Sequence, residues 1–458
     1  MTRRYWLETL GCPKNQVDSD KLEGTLAADG FEPADAPGEA DLVVVNTCAF
    51  IEAARQESID TILALDDGRR KGSRLVVTGC MAERYGDELA ASLPEVDLVA
   101  PFGASLTGPA GTPVALTSKP AAAAPLPAFD LLNLPRPAAT APWSYVKVAE
   151  GCDRNCGFCA IPSFRGKQRS RATGSILAEV DQLGAADGSL KEVVLVAQDL
   201  SSFALDRSTG RTVPALDGPA VGANRPIVDL VRAVSAKVAW TRLLYLYPST
   251  LDDALVEAVL GTGVPYFDLS LQHVSRPLLK RMRRWGEGDR FLDRIASIRS
   301  AEPTAAFRSS FIVGYPGETE EDHDRLLEWL GEARLDWVGF FPFSNEAGTY
   351  AADLDGQVPE ELVAERLREC GELQDAITAA RRDELIGATV EVLVDAPGIG
   401  RTYREAPEID GIVVLPDDLA PGTFVDVVVT GADGPDLIAE PPTPAAAGAP
   451  LAAAGSSR

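Results

Sequence analysis

Three apolar, strand-like runs in the first eighty residues each lead into a loop that carries a cysteine, and each loop is followed by a helical pattern. Tyr5 to Leu10 precedes Gly11-Cys12-Pro13-Lys14-Asn15, Asp41 to Val45 precedes Asn46-Thr47-Cys48, and Arg74 to Thr78 precedes Gly79-Cys80. Helical patterns follow at about 16–29, 53–66 and 82–92. Strands alternating with helices form a parallel sheet, and loops at the carboxyl ends of such strands converge on one crevice. Cys12, Cys48 and Cys80 are therefore expected to become neighbours. A small buried core thiol is the commoner fate of a single cysteine, but three at equivalent loop positions point to a ligand set.

A second group of cysteines lies in Glu150-Gly151-Cys152-Asp153-Arg154-Asn155-Cys156-Gly157-Phe158-Cys159. Three thiolates spaced C-x3-C-x2-C can wrap one face of a four-iron cluster and leave the fourth iron without a protein ligand. Such clusters normally take four cysteines, and a missing ligand marks a position kept open for substrate or cosubstrate, as it does at catalytic zinc. A zinc knuckle is the competing reading, but it needs a fourth ligand nearby, and the two histidines, His273 and His323, lie far along the chain. The pattern C-x3-C-x-aromatic-C, with Phe158 before the third cysteine, resembles the radical S-adenosylmethionine (SAM) signature. The resemblance implies that the amino and carboxylate groups of SAM chelate the open iron. An electron from the cluster then cleaves SAM to a 5'-deoxyadenosyl radical, which abstracts hydrogen from an unactivated carbon.

Beyond this loop, strand runs fall at about 144–149, 192–197, 242–247, 266–271, 307–313 and 337–342, the rhythm of a partial parallel barrel. Active sites of such barrels lie at the carboxyl ends of the strands, where Gln198-Asp199, Tyr247-Pro248, Gln272-His273 and Gly314-Tyr315-Pro316-Gly317-Glu318 fall. The radical SAM resemblance implies SAM contacts from Gln198 and Asp199, which stand where relatives place a glycine-glycine-glutamate motif. It implies another from Gly314, which would let backbone approach the adenine, and it adds Phe158 to the cofactor-binding set. For His273 a structural hydrogen bond and a substrate contact are both open. His323 is expected to be exposed at a helix start, and Cys370, in the helical run 359–386, to serve packing.

Two three-cysteine sites, one on an α/β domain and one on a radical SAM core, resemble the methylthiotransferase family over nearly the whole chain. Leu10-Gly11-Cys12-Pro13-Lys14-Asn15-Gln16-Val17-Asp18-Ser19, Asn46-Thr47-Cys48-Ala49-Phe50-Ile51-Glu52-Ala53-Ala54 and Cys156-Gly157-Phe158-Cys159-Ala160-Ile161-Pro162-Ser163-Phe164-Arg165-Gly166 are similar to the branch that modifies a ribosomal protein rather than tRNA. The resemblance implies two [4Fe-4S] clusters and SAM as cofactors. Cys12, Cys48 and Cys80 would hold the cluster that carries or donates sulfur; Cys152, Cys156 and Cys159 would hold the one that cleaves SAM. It also implies the reaction, insertion of a methylthio group at the β carbon of an aspartate in small-subunit ribosomal protein twelve. One SAM would supply the methyl group, another the radical, and a reductant protein the electrons.

Composition suggests the boundaries. Residues 103–142 are crowded with alanine and proline and read as an interdomain linker with a short core. Residues 206–226 read as a loop inserted in the barrel, and the Ala, Pro, Gly and Ser tail from Pro441 as disordered. Alternating runs at Thr389-Glu391-Leu393, 412–415 and 424–429, with turns at Pro397-Gly398 and Pro421-Gly422, predict a small antiparallel barrel. Its position and pattern resemble the TRAM domain that ends methylthiotransferases, and the stretch from Gly400 to Gly411 is similar to the ribosomal-protein branch. The expected fold class is thus α/β: an amino-terminal parallel-sheet domain over 1–117, a linker over 118–137, a radical SAM partial (β/α) barrel over 138–368, a TRAM barrel over 371–440 and a disordered tail over 441–458.

Charge bears on the partner. The chain carries a formal −25, and over 387–440 eleven acids face only Arg401 and Arg404. A tRNA-binding barrel needs Lys and Arg to displace counterions from phosphates, so this surface should repel RNA and attract a basic protein. Acidity that only solubilises is the competing reading. Seven cysteines without a disulfide-scaffold spacing suit reduced thiols in the cytoplasm, and no run of eighteen or so apolar residues calls for a membrane. Two alternative functions remain. A tRNA methylthiotransferase would show a basic groove on the terminal barrel, and a zinc-stabilised ribosome-binding module would hold metal without cleaving SAM.

Overall fold

The computed structural model describes residues 2–107, 131–207 and 225–442. The linker expected at 118–137, the inserted loop at 206–226 and the tail at 441–458 lie mostly outside the described residues. The amino-terminal domain runs β1 (Arg3–Thr9), α1 (Pro13–Ala28), β2 (Phe31–Pro33), β3 (Leu42–Thr47), α2 (Glu52–Gly68), β4 (Arg74–Gly79), α3 (Cys80–Ser92) and β5 (Leu98–Val99). Its strands form one parallel sheet in the order β2-β1-β3-β4-β5. Every residue of the central strand β3 is buried, as a parallel strand covered on both faces requires. The register pairs Thr9 with Asn46 and Asn46 with Thr78. The three strands therefore end level, and the loops that follow them lie together.

The central domain runs β6 (Trp143–Lys147), β7 (Ala149–Glu150), α4 (Ile161–Phe164), β8 (Arg169–Ser170), α5 (Thr173–Val180), β9 (Glu192–Val196), α6 (Pro226–Ser235), β10 (Trp240–Leu243), α7 (Asp253–Leu260), β11 (Tyr266–Gln272), α8 (Arg276–Arg281), α9 (Gly288–Ala301), β12 (Ala306–Val313), α10 (Glu320–Ala333), β13 (Trp337–Pro342) and α11 (Glu360–Asp383). One parallel sheet holds β6, β9 and β10, another holds β11, β12 and β13, and a single parallel bridge between Leu246 and Leu269 joins them into a partial barrel. The strand expected at 242–247 is displaced to Trp240–Leu243. Tyr245 turns to a φ of 64° and its N–H donates to the Asp268 carboxylate at 2.9 Å, which ends the ladder. Alternate residues separate the two faces. Val193, Leu195, Phe267, Leu269, Phe307 and Phe311 pack against the helices, while Tyr145, Val194, Val196, Trp240, Tyr266 and Trp337 fill the interior.

The last domain, β14 (Thr389–Ala396), β15 (Ile399–Arg401), β16 (Val413–Val414), β17 (Phe424–Asp433) and β18 (Asp436–Glu440), closes into a small barrel. All its pairs are antiparallel except β16 with β18. Its segment 402–410 plugs the amino ends of the central strands: Tyr145 Oη donates to the Pro407 carbonyl at 2.6 Å, Trp337 Nε1 to Arg404 O at 2.7 Å and Tyr266 Oη to Asp410 at 2.6 Å. Fully buried Glu192 is held between Arg242 and Arg401 at 2.7 Å each. The opposite, carboxyl ends face the amino-terminal domain.

This docking corrects the charge reading of the terminal barrel. Asp395 pairs with Arg401, Glu405 with Arg382, and Asp410 with Tyr266 and Arg308, so three of the eleven acids are used inside the molecule. His323 also departs from expectation. It is only 1% exposed, because α11 lies against α10 and Glu369 bonds the imidazole Nε2 at 2.8 Å. His273 is fully buried and its Nδ1 accepts the Ser275 N–H at 3.0 Å, a structural bond. Cys370 packs in the central core, as expected. Among the described residues, no helix is long and apolar enough to cross a membrane.

Candidate active site at the domain seam

The first cysteine group forms because three strands end level. Cys12 is the N-cap of α1, with Pro13 in the first helical turn; Cys48 follows β3; Cys80 opens α3. Gly11 takes a φ of +95°, and a Cβ there would meet Cys48 Cβ at 2.8 Å, so only glycine lets these two loops touch. Gly79, at φ +91°, has the same freedom forced on it by the Thr47 backbone, which a Cβ would meet at 2.6 Å. Burial pushes the Cys48 thiol up to about 12, with Cys12 and Cys80 adding to the rise. At Cys12 burial also acts upward, but Lys14 and Arg165 outweigh it and hold this thiol below its ordinary value.

The second group sits on a loop pinned by its own backbone. Cys152 N–H donates to Gly166 O at 3.1 Å, Gly157 N–H to Met282 O at 2.8 Å, and the Ala351 N–H reaches Gly157 O at 2.8 Å. The Arg154 N–H donates to Cys152 Sγ at 3.4 Å, and Arg284 Nη1 to Cys156 Sγ at 3.3 Å. Tyr247 lies between the guanidinium groups of Arg154 and Arg284, 3.8 and 4.1 Å from its ring centre. Burial pushes Cys152 and Cys159 up to about 12. Metal binding must displace those protons, since the thiolate is the ligand.

Both groups suit iron-sulfur clusters better than a lone ion. Each offers three thiols, and each has an arginine donating to one sulfur, which would offset the charge of a thiolate-ligated cluster. Among the described residues, no three His, Cys, Asp or Glu side chains are grouped so as to hold a single metal ion.

Buried charges join the two groups across the seam. Lys147, on β6, bonds Asp18 of α1, and its Nζ also donates to Glu150 at 2.6 Å. Arg165, six residues past Cys159, donates to Glu150 at 2.9 Å, Asp18 at 3.3 Å, Asn15 at 2.6 Å and Cys80 Sγ at 3.0 Å. A second clasp, Glu346 with Arg55 and Arg84 at 2.7 Å each, ties α2 and α3 to the segment after β13. Sequence reasoning assigned no role to Asn15, Asp18, Lys147, Glu150, Arg165 or Arg284. The available signal was Lys147, a charge inside a strand that otherwise reads as apolar.

The residues expected to contact SAM have the following surroundings. Gln198 Nε2 donates to Glu150 at 2.7 Å. Asp199 is 3% exposed and accepts from Arg154 Nε at 2.6 Å, Ser201 Oγ at 2.8 Å and Ser202 Oγ at 2.7 Å, so it braces the cysteine loop through Arg154. Gly314 has a φ of +81° and gives its N–H to Glu318 at 2.6 Å, and a side chain there would strike Val363 of α11. Phe158 is half-buried against the central core.

Comparison with known proteins agrees with this arrangement domain by domain. The family described as Uncharacterized protein family UPF0004 is matched over residues 4–101, the Radical SAM superfamily over 146–330 and the TRAM domain over 386–441. Ribosomal protein uS12 methylthiotransferase RimO of Moorella thermoacetica is 42% identical over 427 residues, covering 92% of this chain and 95% of that protein. Its counterpart in Cutibacterium acnes is 40% identical over 481 residues, covering 95% and 97%. The chain belongs to the RimO family of radical SAM methylthiotransferases.

Proposed function

We propose that this enzyme inserts a methylthio group at the β carbon of an aspartate in ribosomal protein uS12, with one [4Fe-4S] cluster held by Cys12, Cys48 and Cys80 and a second by Cys152, Cys156 and Cys159. The observation that carries the proposal is the meeting of two three-cysteine groups at one seam, with Arg165 running from the loop of the second to a sulfur of the first. The clusters and SAM, when bound, would supply sulfur, methyl group and hydrogen-abstracting radical. The chain's own residues fix geometry and charge. Lys147, Asp18, Glu150 and Arg165 lock the domains in register, and Arg284 and Arg154 hold the SAM-side loop. Gln198, Asp199, Gly314 and Phe158 remain the proposed SAM surroundings.

The terminal barrel supports a basic protein as acceptor. Its only two cations, Arg401 and Arg404, are buried, whereas Glu391, Asp417, Asp418 and Asp426 are among its exposed acids. Ile399, Val414 and Ile438 pair side by side across β15, β16 and β18 and are 40%, 43% and 42% exposed. An exposed apolar stripe on a barrel whose exposed charges are acidic suits an amphipathic basic segment and repels a phosphate backbone. The test is anaerobic reconstitution with iron and sulfide, then incubation with SAM, a reductant and purified uS12. Mass spectrometry should find one methylthio group in place of hydrogen on a single aspartate; SAM cleavage with no change in uS12 would move the acceptor to tRNA.

A further inference from the structure

A basic segment of this acidic chain lies beside the second cysteine group. Residues 276–290 hold six cations, Arg276, Lys280, Arg281, Arg283, Arg284 and Arg290, against Glu287 and Asp289, within a chain of 43 cations and 68 acids. Arg276, Lys280, Arg284, Trp285, Glu287 and Arg290, together with Gly286, line a cavity of about 300 Å³. Arg276 and Arg290 share the single carboxylate of Glu287 at 3.3 and 2.9 Å, which leaves a cationic excess at the rim. The floor is tied to the cysteine loop, since Arg284 lies in the cavity wall and donates to Cys156 Sγ at 3.3 Å.

We infer that this basic cavity is the docking surface for a small acidic one-electron donor protein, which delivers its electron to the cluster held by Cys152, Cys156 and Cys159. The inference rests on the cluster assignment proposed above. Charge complementarity selects the occupant: on a protein of net −25 this cationic patch favours an acidic partner and orients it. Arg284 makes the patch continuous with Cys156, one of the residues that would hold the cluster. The step is balanced. The donor loses one electron, the cluster gains one, and no proton or bond need move.

The test uses the reconstituted full chain and its Arg276→Glu/Lys280→Glu variant, with a reduced plant-type ferredoxin as the probe and dithionite as the small-molecule control. Cluster reduction is followed by visible bleaching and electron paramagnetic resonance. Reversing two exposed charges at the rim should slow reduction by ferredoxin at least about tenfold at low ionic strength, the difference closing as salt screens the field. Dithionite should reduce both proteins alike, and Arg70→Glu, a reversal at an exposed arginine of the amino-terminal domain, should change neither rate. An unchanged ferredoxin rate in a variant that dithionite still reduces would overturn the docking surface while leaving the clusters in place. A chain that binds no iron at Cys152, Cys156 and Cys159 would instead overturn the cluster assignment itself.

Discussion

Arg165 is the residue whose loss should be felt most widely. Its guanidinium is buried at the seam and serves four partners, Asn15, Asp18, Glu150 and Cys80. Replacing it by Met keeps much of the volume and removes the charge. Asp18 and Glu150 would then share Lys147 alone, two buried carboxylates against one ammonium. Burial pushes the Glu150 carboxyl up, but Arg165 and Lys147 outweigh it and hold it well below the usual carboxylate range. Breaking a buried pair by removing one partner costs about 3–5 kcal/mol, because the other charge is left uncompensated. Against a typical total of about 5–15 kcal/mol, Arg165→Met should lose about 4 kcal/mol in urea unfolding of the reduced, metal-free chain. Arg165→Lys keeps the charge but lacks the planar fork that reaches Cys80 and Asn15 together, and should fall between the two. The double variant Arg165→Met/Glu150→Gln should lose less than the two single losses added. A loss under about 1 kcal/mol for Arg165→Met would refute the claim that this charge network locks the domains.

Three further outcomes can be checked. Cys156→Ala should abolish SAM cleavage, whereas Cys48→Ala should leave some cleavage and stop sulfur insertion; equal loss of cleavage in both, measured as 5'-deoxyadenosine released, would contradict the division of labour. Burial holds the His273 imidazole at about 4 against an ordinary 6.5, so it is neutral in the fold while the unfolded chain takes up a proton near 6.5. The stability this gives is whole above pH 6.5 and falls by about 3 kcal/mol as pH drops to 4; His273→Asn should flatten that part of the urea-unfolding profile, and an unchanged slope would remove His273 as its source. Asp417→Lys/Asp418→Lys, at two exposed positions of the terminal barrel, should raise the KM for uS12 several-fold with kcat little changed, and an unaltered KM would detach the acidic surface from substrate binding.

Much of the fold could be read in the chain because period and punctuation report local geometry directly. An apolar run, then Gly-Cys or Asn-Thr-Cys, then a helical pattern could only be a parallel strand ending at a crevice, and the level register of Thr9, Asn46 and Thr78 brings those loops together. The strand at 242–247 was misplaced because Tyr245 adopts a left-handed backbone that no residue preference announces. His323 was misjudged for a related reason: its own helix start is polar, and only the later helix α11, bringing Glu369, covers it.

What the chain concealed is its long-range electrostatics. Lys147 with Asp18, Arg165 with Cys80 and Arg401 with Glu192 join residues 129, 85 and 209 apart, and nothing in a local pattern names such a partner. The warning was a charge where a strand should be apolar, as at Lys147, Glu192, Arg242 and Arg308, each of which lies at a domain contact. The same blindness affected the net charge of the terminal barrel, yet the correction strengthens the conclusion drawn from it. Three acids turn inward, but both arginines do too, so the surface left to solvent has no cation of its own. A count of residues understated how one-sided that surface is, and it is the exposed charge, rather than the total, that a basic ribosomal protein or a tRNA would meet.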